Sequence, residues 1–288
     1  MPAWWTALRA SAPPVPADLD AWWSWHRQVR APTPFARAVL ASARADRAGM
    51  AFVSGYQAAL QHLLGDHGLA ALAVTEAEGN HPRAIHTTIV GGRISGTKTF
   101  VTLGDVADTV WVVARDPSVE GHRPRLVVAR VQAGGPGQAW TPGPPTPFVP
   151  EVAHGQLVLD NAPVVQVREA DGYDEVVKPF RTVEDLHVLG ALLGYTLGEA
   201  QRSHGDEGWR EQAMALVVAL GALCAESPSD TAVHLALAGV WHQAEALLSA
   251  APLTGEAATR WQRDRALLSV ASTARKARAD RAWDTWRG

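Results

Sequence analysis

The spacing of apolar residues changes twice along this 288-residue chain, and these changes constrain the fold more than any other feature. Up to about residue 68, apolar side chains recur every three to four positions, which is typical of helices. From Leu69 to about Val167 the runs are short, β-branched and alternating, which indicates strands. Helical spacing returns at about Arg181 and continues through residue 286. The sequence therefore predicts a helical, then a β, then a helical segment.

We accordingly predict an α+β protein of three domains. They are an N-terminal helical domain (1–68), a middle β-barrel or sandwich (69–167) and a C-terminal four-helix bundle (168–288). The bundle helices are predicted at 183–203, 207–225, 230–250 and 255–286, the last of them uninterrupted. Short loops between such long helices favour antiparallel neighbours. The basic residues of the last helix, Arg275 and Arg278 among them, are expected on a solvated face.

One hairpin stands out in the middle domain. Residues 86–90 and 93–102 are both rich in β-branched side chains, and Gly91-Gly92 joins them. Two such runs separated by two glycines are a strong signal for a tight β-hairpin. The segment from Gly134 to Pro150 is rich in Pro and Gly, so we predict a loop there.

Composition excludes several classes of protein. The 26 basic and 29 acidic residues give a net charge of −3, which argues against a general nucleic-acid-binding protein. A single cysteine, Cys224, excludes a disulfide framework, and neither Cys nor His residues have metal-ligand spacing, so no metal site is predicted. The most apolar stretch, 213–224, is too short for a membrane span, and no signal-peptide pattern occurs. We therefore expect a cytoplasmic protein without a membrane span.

Two short motifs carry the functional signal. The first is Ala73-Val74-Thr75-Glu76-Ala77-Glu78-Gly79-Asn80, and the second is Gly96-Thr97-Lys98-Thr99-Phe100-Val101-Thr102, followed by Ala107-Asp108. A Thr that follows an apolar strand, with Gly a few positions later, offers a hydroxyl and close backbone approach to a flat ligand such as a flavin. Thr and Phe also favour strands, so Thr75, Phe100 and Thr102 can equally be ordinary strand residues.

In this order and at this spacing, inside an α–β–α chain, the two motifs resemble those of the acyl-CoA dehydrogenase family, of which this chain looks like a short, diverged member. The resemblance implies FAD as cofactor and, as substrate, acyl-CoA or a related acyl thioester of lipid metabolism. It implies an oxidation in which a carboxylate removes the α-proton while the β-hydride passes to the flavin. It also implies a homodimer or homotetramer.

The resemblance further assigns cofactor-binding roles to six residues. Val74 and Thr75 would meet the pyrimidine side of the flavin ring, and Phe100 and Thr102 would lie against the ring. Gly79 and Asn80 would stand near the cofactor pyrophosphate and the substrate thioester, although Asn80 replaces the family's Ser and the loop is one residue shorter.

The candidate catalytic base is Glu184. Most family members carry the base near the end of the bundle, where this chain offers no suitable Glu. A minority carry it on the first bundle helix, ten residues before the Gly of a Leu-Gly pair. In this chain the pair is Leu193-Gly194, and the residue ten positions before Gly194 is Glu184. The competing interpretation is structural: Thr182 as N-cap would place Glu184 and Asp185 in a first helical turn, where acids are common.

Two departures from the family pattern leave a second function open. At the position of the family's R-x-x-F-G motif, this chain has Arg202-Ser203-His204-Gly205. Its N-terminal helical domain is also shorter than is usual in the family. The chain is therefore interpreted as an FAD-dependent acyl-CoA dehydrogenase or, alternatively, as a catalytically inactive homologue that serves as an assembly or partner subunit.

Overall fold

The computed structural model describes residues 5–6, 8, 14–15, 18–119, 123–168 and 170–288. The α-helices in these residues are α1 (Leu19–His26), α2 (Pro34–Ser42), α3 (Ala48–Leu64), α4 (Lys178–Arg202), α5 (Glu207–Leu223), α6 (Thr231–Ser249), α7 (Gly255–Asp264) and α8 (Ser272–Arg287). The strands are β1 (Ala70–Ala73), β2 (Thr88–Val90), β3 (Arg93–Thr102), β4 (Thr109–Arg115), β5 (Leu126–Gln132), β6 (Gln138–Pro142), β7 (His154–Pro163) and β8 (Gln166–Arg168). The predicted order of helices, strands and helices is confirmed.

The chain divides into two compact units. A helical unit comprises residues 1–62, 147–149 and 182–288, and a sheet unit comprises residues 63–146 and 150–181. Within the described residues of both units, every helix is too short or too polar to cross a membrane.

The sheet unit is built on one mixed sheet with the strand order β6-β7-β3-β2-β4-β5-β8, and β1 pairs in parallel with β4. The predicted hairpin is confirmed: β2 and β3 pair antiparallel, with Val90 opposite Arg93 across Gly91 and Gly92. Both glycines have positive φ angles, 56° and 74°, as the tightest hairpin turn requires. Alternate residues of the strands form a core of Val, Leu, Ile and Ala side chains.

The predicted loop at 134–150 is wrong for residues 138–142, which form β6 and pair with β7. Pro142 ends this strand at the margin of the sheet, where no further partner needs its missing N–H. The ring of Trp140 occupies the space that side chains at Gly104 and Gly155 would fill. Tertiary packing of one Trp thus outweighs a local composition that favours a loop.

The helical unit centres on α4, whose glycines at every fourth position allow close packing against α2. An added Cβ on Gly194 would lie 2.5 Å from the carbonyl oxygen of Val39, and one on Gly190 would meet the ring of Phe35. Ala38, Ala58 and Ala191 fill a small buried cluster in the same unit. Small residues therefore set the spacing of these helices.

The predicted start of the first bundle helix is wrong by about a turn. The helix α4 begins at Lys178, directly after a π-helical turn at Gly172–Val177, and Asp171 caps that turn by accepting from the N–H groups of Tyr173 and Asp174. Thr182 is consequently inside the helix, and the interpretation of Thr182 as N-cap fails.

The last predicted helix is interrupted. A 3₁₀ turn at Arg265–Ser269 and a left-handed Ala271 (φ 60°) separate α7 from α8. Arg275 satisfies the carbonyl groups that the break leaves unpaired, since its guanidinium donates to Leu268 O and, at 2.6 Å, to Val270 O. The same guanidinium lies 3.8 Å from the centre of the Trp241 ring. The expected solvated face is therefore wrong for Arg275.

We predict that Gly194→Ala lowers the free energy of unfolding by roughly 1–3 kcal/mol, because the new methyl group would overpack α4 against α2. Gly239→Ala is the matched control: Gly239 is also helical, in α6, and nothing lies within 4 Å of its added Cβ. That control should be neutral or gain about 0.5–1 kcal/mol. Urea unfolding of both variants measures the difference, and equal stabilities would contradict the packing described here.

Candidate functional site

The two motifs lie side by side in the sheet unit. The backbone N–H of Thr99, in the second motif, donates to the carbonyl of Thr75, in the first, at 2.8 Å, and the Thr99 hydroxyl donates to the same oxygen at 3.4 Å. The first motif follows directly from β1, and the second forms most of β3. The sheet therefore brings together residues that are more than 20 positions apart in sequence.

A buried ion pair joins the motifs. Lys98 is fully buried, and its Nζ donates to Glu76 Oε1 at 2.6 Å and to the carbonyl of Val74 at 3.1 Å. Glu76 also accepts from the backbone N–H groups of His86 and Thr87, at 2.8 and 3.0 Å. Each charge thus has several partners, which a buried ion pair needs if it is to offset the loss of solvation.

The pKa values of the pair follow from these contacts. Burial raises the pKa of Glu76, but the hydrogen bond and charge of Lys98 and the donors of His86 and Thr87 outweigh it, so the pKa lies below its ordinary value of 4.5. This carboxylate therefore stabilises the fold above pH 4.5, and its contribution is lost as the pH falls through the lower folded value. Burial lowers the pKa of Lys98 to about 8, with the Glu76 contact opposing that shift.

Phe100 has an unusual position on β3. The pairing of β3 with β7 shifts register between Lys98 and Val101, so the strand bulges there. Phe100 lies in this bulge with a left-handed φ of 52°. It is 77% exposed, whereas its neighbour Val101 is fully buried. A non-glycine residue in this conformation is strained, and such strain clusters at functional sites.

Three further candidate residues belong to the two motifs. Val74, Thr75 and Thr102 are all half-buried. The side-chain hydroxyls of Thr75 and Thr102 make no hydrogen bond to any residue that the structure describes. They remain available to a ligand, whereas the Thr75 carbonyl is already occupied by Thr99.

Gly79 and Asn80 form the turn that ends the first motif. Glu76 and Gly79 exchange two backbone hydrogen bonds of 2.9 Å, and Gly79 has a φ of 111° that only glycine adopts easily. The side-chain oxygen of Asn80 accepts from the guanidinium of Arg181 at 3.0 Å. The turn is therefore fixed at both of its ends within the sheet unit.

Glu184 lies in the helical unit, half-buried on α4. Its neighbour Asp185 has a side chain that is only 13% exposed and forms ion pairs with Arg275 and Arg278 of α8. Arg278, like Arg275, is thus directed inward, and the expected solvated face is wrong for both. Burial raises the pKa of Asp185, and the two arginines, Arg278 foremost, oppose that shift.

Sequence reasoning missed Glu76 and Lys98 as a pair. Both residues belong to the two motifs, but a charged residue within a strand is normally expected to face the solvent. One signal was present: Lys98 occupies a position on β3 where strand alternation from Ile94 predicts a buried side chain. Among the described residues, no group of three His, Cys, Asp or Glu side chains is arranged to hold a metal ion.

Comparisons with known proteins bear on the fold of the chain. No family model matches the sequence. No curated protein matches it either. Solved structures do match: PigA, determined with FAD and proline, has a TM-score of 0.66 at 15% identity, with 99% of this chain and 97% of that chain covered. Butyryl-CoA dehydrogenase from Megasphaera elsdenii has a TM-score of 0.63 at 14% identity, with 86% and 81% covered.

The chain has the acyl-CoA dehydrogenase fold. A third match, the prolyl acyl carrier protein oxidase AnaB, has a TM-score of 0.63 at 14% identity and covers 92% of this chain and 93% of its own. The predicted fold class is therefore confirmed. Within the acyl-CoA dehydrogenase fold, the two motifs of this chain occupy the central sheet, and the candidate base occupies the first helix after it.

We predict that Lys98→Met lowers the free energy of unfolding by roughly 3–5 kcal/mol, because it leaves the Glu76 carboxylate buried without its cation. The double variant Glu76→Gln with Lys98→Met should recover part of this loss. The control is Lys276→Met, which removes an exposed i,i+4 pair with Asp280 and should cost less than about 0.5 kcal/mol. If urea unfolding gives the same loss for Lys98→Met and Lys276→Met, the buried pair does not hold the motifs together.

Proposed function

We propose that the chain binds FAD and oxidises an acyl thioester to its 2-enoyl form. One observation carries the proposal: the exposed Phe100, with its strained backbone, lies on a strand bulge between Thr99, which binds the Thr75 carbonyl, and Thr102, and the half-buried hydroxyls of Thr75 and Thr102 have no partner in the described residues. A planar ligand could cover the ring and accept or donate hydrogen bonds to the hydroxyls, so both groups would contribute to its binding.

The residues present fit a flavin. The side chains and backbone that would hold it are those of Val74, Thr75, Gly79, Asn80, Phe100 and Thr102. Their chemistry is that of an aromatic face, two hydroxyls, and a turn whose glycine permits close backbone approach. PigA was determined with FAD, which supports the same cofactor for a chain of this fold.

In this proposal Glu184 is the base. Its carboxylate takes the proton that leaves the α-carbon, and the electrons of that C–H bond form the new carbon–carbon double bond as the β-hydride departs. When bound, FAD supplies the two-electron acceptor for that hydride. Because α4 begins at Lys178, helix-start chemistry no longer accounts for an acid at position 184, and this supports the catalytic role.

Asp185 is the less suitable acid, although it is adjacent in sequence. Its two carboxylate oxygens are committed to Arg275 and Arg278, so accepting a proton would break ion pairs that join α4 to α8. We assign Asp185 a structural role and Glu184 the chemical one.

The acyl carrier and the assembly also belong to this proposal. Butyryl-CoA dehydrogenase and the prolyl acyl carrier protein oxidase AnaB support either acyl-CoA or a carrier-protein thioester as substrate. A homodimer or homotetramer, which the resemblance to the acyl-CoA dehydrogenase family implies, is the assembly that we propose.

A second candidate is a catalytically inactive homologue that acts as an assembly or partner subunit. The observation that favours it is the commitment of Arg202, at the position of the family's R-x-x-F-G arginine. Its guanidinium binds Glu199 at 2.7 Å and the carbonyl of Ala43 at 2.9 Å, so it is engaged within its own helical unit. An arginine held this way is not free to reach a cofactor.

We predict that FAD-loaded protein mixed anaerobically with butyryl-CoA loses its oxidised-flavin absorption in a stopped-flow experiment. Glu184→Gln should slow this reduction by roughly two to four orders of magnitude, because the amide keeps the size of the side chain but cannot accept the proton.

The matched control is Asp185→Asn. It should lower the free energy of unfolding by roughly 1–3 kcal/mol, because it weakens charge-assisted bonds to two arginines, while the folded protein still reduces its flavin. If Asp185→Asn abolishes flavin reduction and Glu184→Gln does not, the base assignment is wrong. A wild type that binds no FAD and reduces none supports the inactive homologue.

A further inference from the structure

His154, the first residue of β7, lies directly opposite a candidate residue of the flavin site. In the antiparallel pairing of β3 with β7, its Cα partner is Thr102. Side chains that are opposite each other in an antiparallel pair lie on the same face of the sheet, with Cβ atoms about 4.5–5.5 Å apart. The imidazole of His154 and the hydroxyl of Thr102 therefore share one face of the two strands.

This shared face is the one opposite to the hydrophobic core of the sheet. The next pair along the strands, Val101 with Gly155, is buried, and Val101 belongs to that core. Because successive residues of a strand point to opposite faces, Thr102 and His154 point away from the core, and both are half-buried. The bulge that carries Phe100 lies just beyond the Val101 pair on the same two strands.

One ring nitrogen of His154 is engaged, and this contact defines the tautomer. Nδ1 lies 2.9 Å from the carbonyl oxygen of Val152, which can only accept a hydrogen bond, so Nδ1 carries the hydrogen. Burial lowers the pKa of His154 below its ordinary value of 6.5, although the Val152 contact and the charge of Asp105 oppose that shift. At pH 7 the ring is therefore neutral, and Nε2 is a hydrogen-bond acceptor.

The Nε2 atom of His154 has no partner among the residues that the structure describes. The bond to Val152 restricts rotation of the ring, so this acceptor is already oriented. The Thr102 hydroxyl across the strands also lacks a partner in the described part of the chain. An oriented acceptor beside an unpaired hydroxyl is suited to a ligand that presents N–H and carbonyl groups together, as the flavin ring does.

We propose that His154 is a further cofactor-binding residue, whose Nε2 accepts a hydrogen bond from the bound flavin. The proposal rests on the proposed function, since it assumes that a flavin lies against Phe100 and Thr102. His154 belongs to neither of the two motifs, and its placement beside Thr102 follows from the pairing of β3 with β7.

The competing interpretation is structural: the imidazole would only bind the Val152 carbonyl and so fix the loop before β7. Two substitutions at this position separate the two roles. In His154→Asn, the amide N–H₂ can still donate to the Val152 carbonyl, as Nδ1 does, but nothing replaces Nε2. In His154→Gln, the longer side chain carries its amide oxygen, an acceptor, toward the position of Nε2, but the Nδ1 donor is lost.

The test titrates FAD into the flavin-free wild type and both variants, followed by flavin fluorescence, and measures urea unfolding of the same proteins without FAD. We expect His154→Asn to weaken FAD binding about fivefold, which corresponds to one lost hydrogen bond, and to unfold at the same urea concentration as the wild type. His154→Gln should bind FAD as tightly as the wild type and unfold at a lower urea concentration. Affinity and stability then respond to different variants, which a structural role would not produce.

The outcomes also separate this proposal from the proposed function. If His154→Asn binds FAD as tightly as the wild type, or if His154→Gln binds it no more tightly than His154→Asn, the role of His154 is overturned while flavin binding stands. A wild type that binds no FAD overturns the proposed function itself, and the role of His154 with it.

Discussion

The buried ion pair of Lys98 and Glu76 is the interaction on which the candidate site depends. It links the loop after β1 to the centre of β3, and the backbone bonds of His86 and Thr87 to the same carboxylate add the segment before β2. A buried charge that loses its partner is strongly destabilising, so the pair fixes these segments against one another. The position of Phe100, two residues after Lys98, follows from this arrangement.

The strain at Phe100 links the fold to the proposed chemistry. A left-handed backbone costs an ordinary L-residue about 1–2 kcal/mol, and an exposed phenyl ring forgoes the roughly 1.5–3 kcal/mol that its burial would contribute. The bulge between Lys98 and Val101 imposes this conformation, because both flanking residues are buried and paired with β7. A flat ligand on the ring would offset part of that cost, and Thr75 and Thr102 would add polar contacts.

The sequence predicted those features of the fold that depend on residues close together in the chain. The helical and β segments followed from periodicity, and the hairpin at Gly91-Gly92 followed from the backbone freedom of two glycines. What the sequence could not predict depends on contacts between distant residues. Trp140 packs on glycines that are far from it in the chain, and Arg275 stabilises a helix break by binding carbonyls and Asp185. The start of α4 was missed although Pro179, in its first turn, is a recognised start signal.

Flavin binding by the wild type and by Phe100→Ala is the measurement that tests the central claim most directly. FAD is titrated into each protein and followed by flavin fluorescence, with Val90→Ala as the control, because Val90 is also an exposed apolar residue of the sheet, at 63%. The account predicts that Phe100→Ala weakens FAD binding roughly tenfold and that Val90→Ala leaves it unchanged. A wild type that binds no FAD, or a Phe100→Ala variant that binds it equally well, would contradict the account.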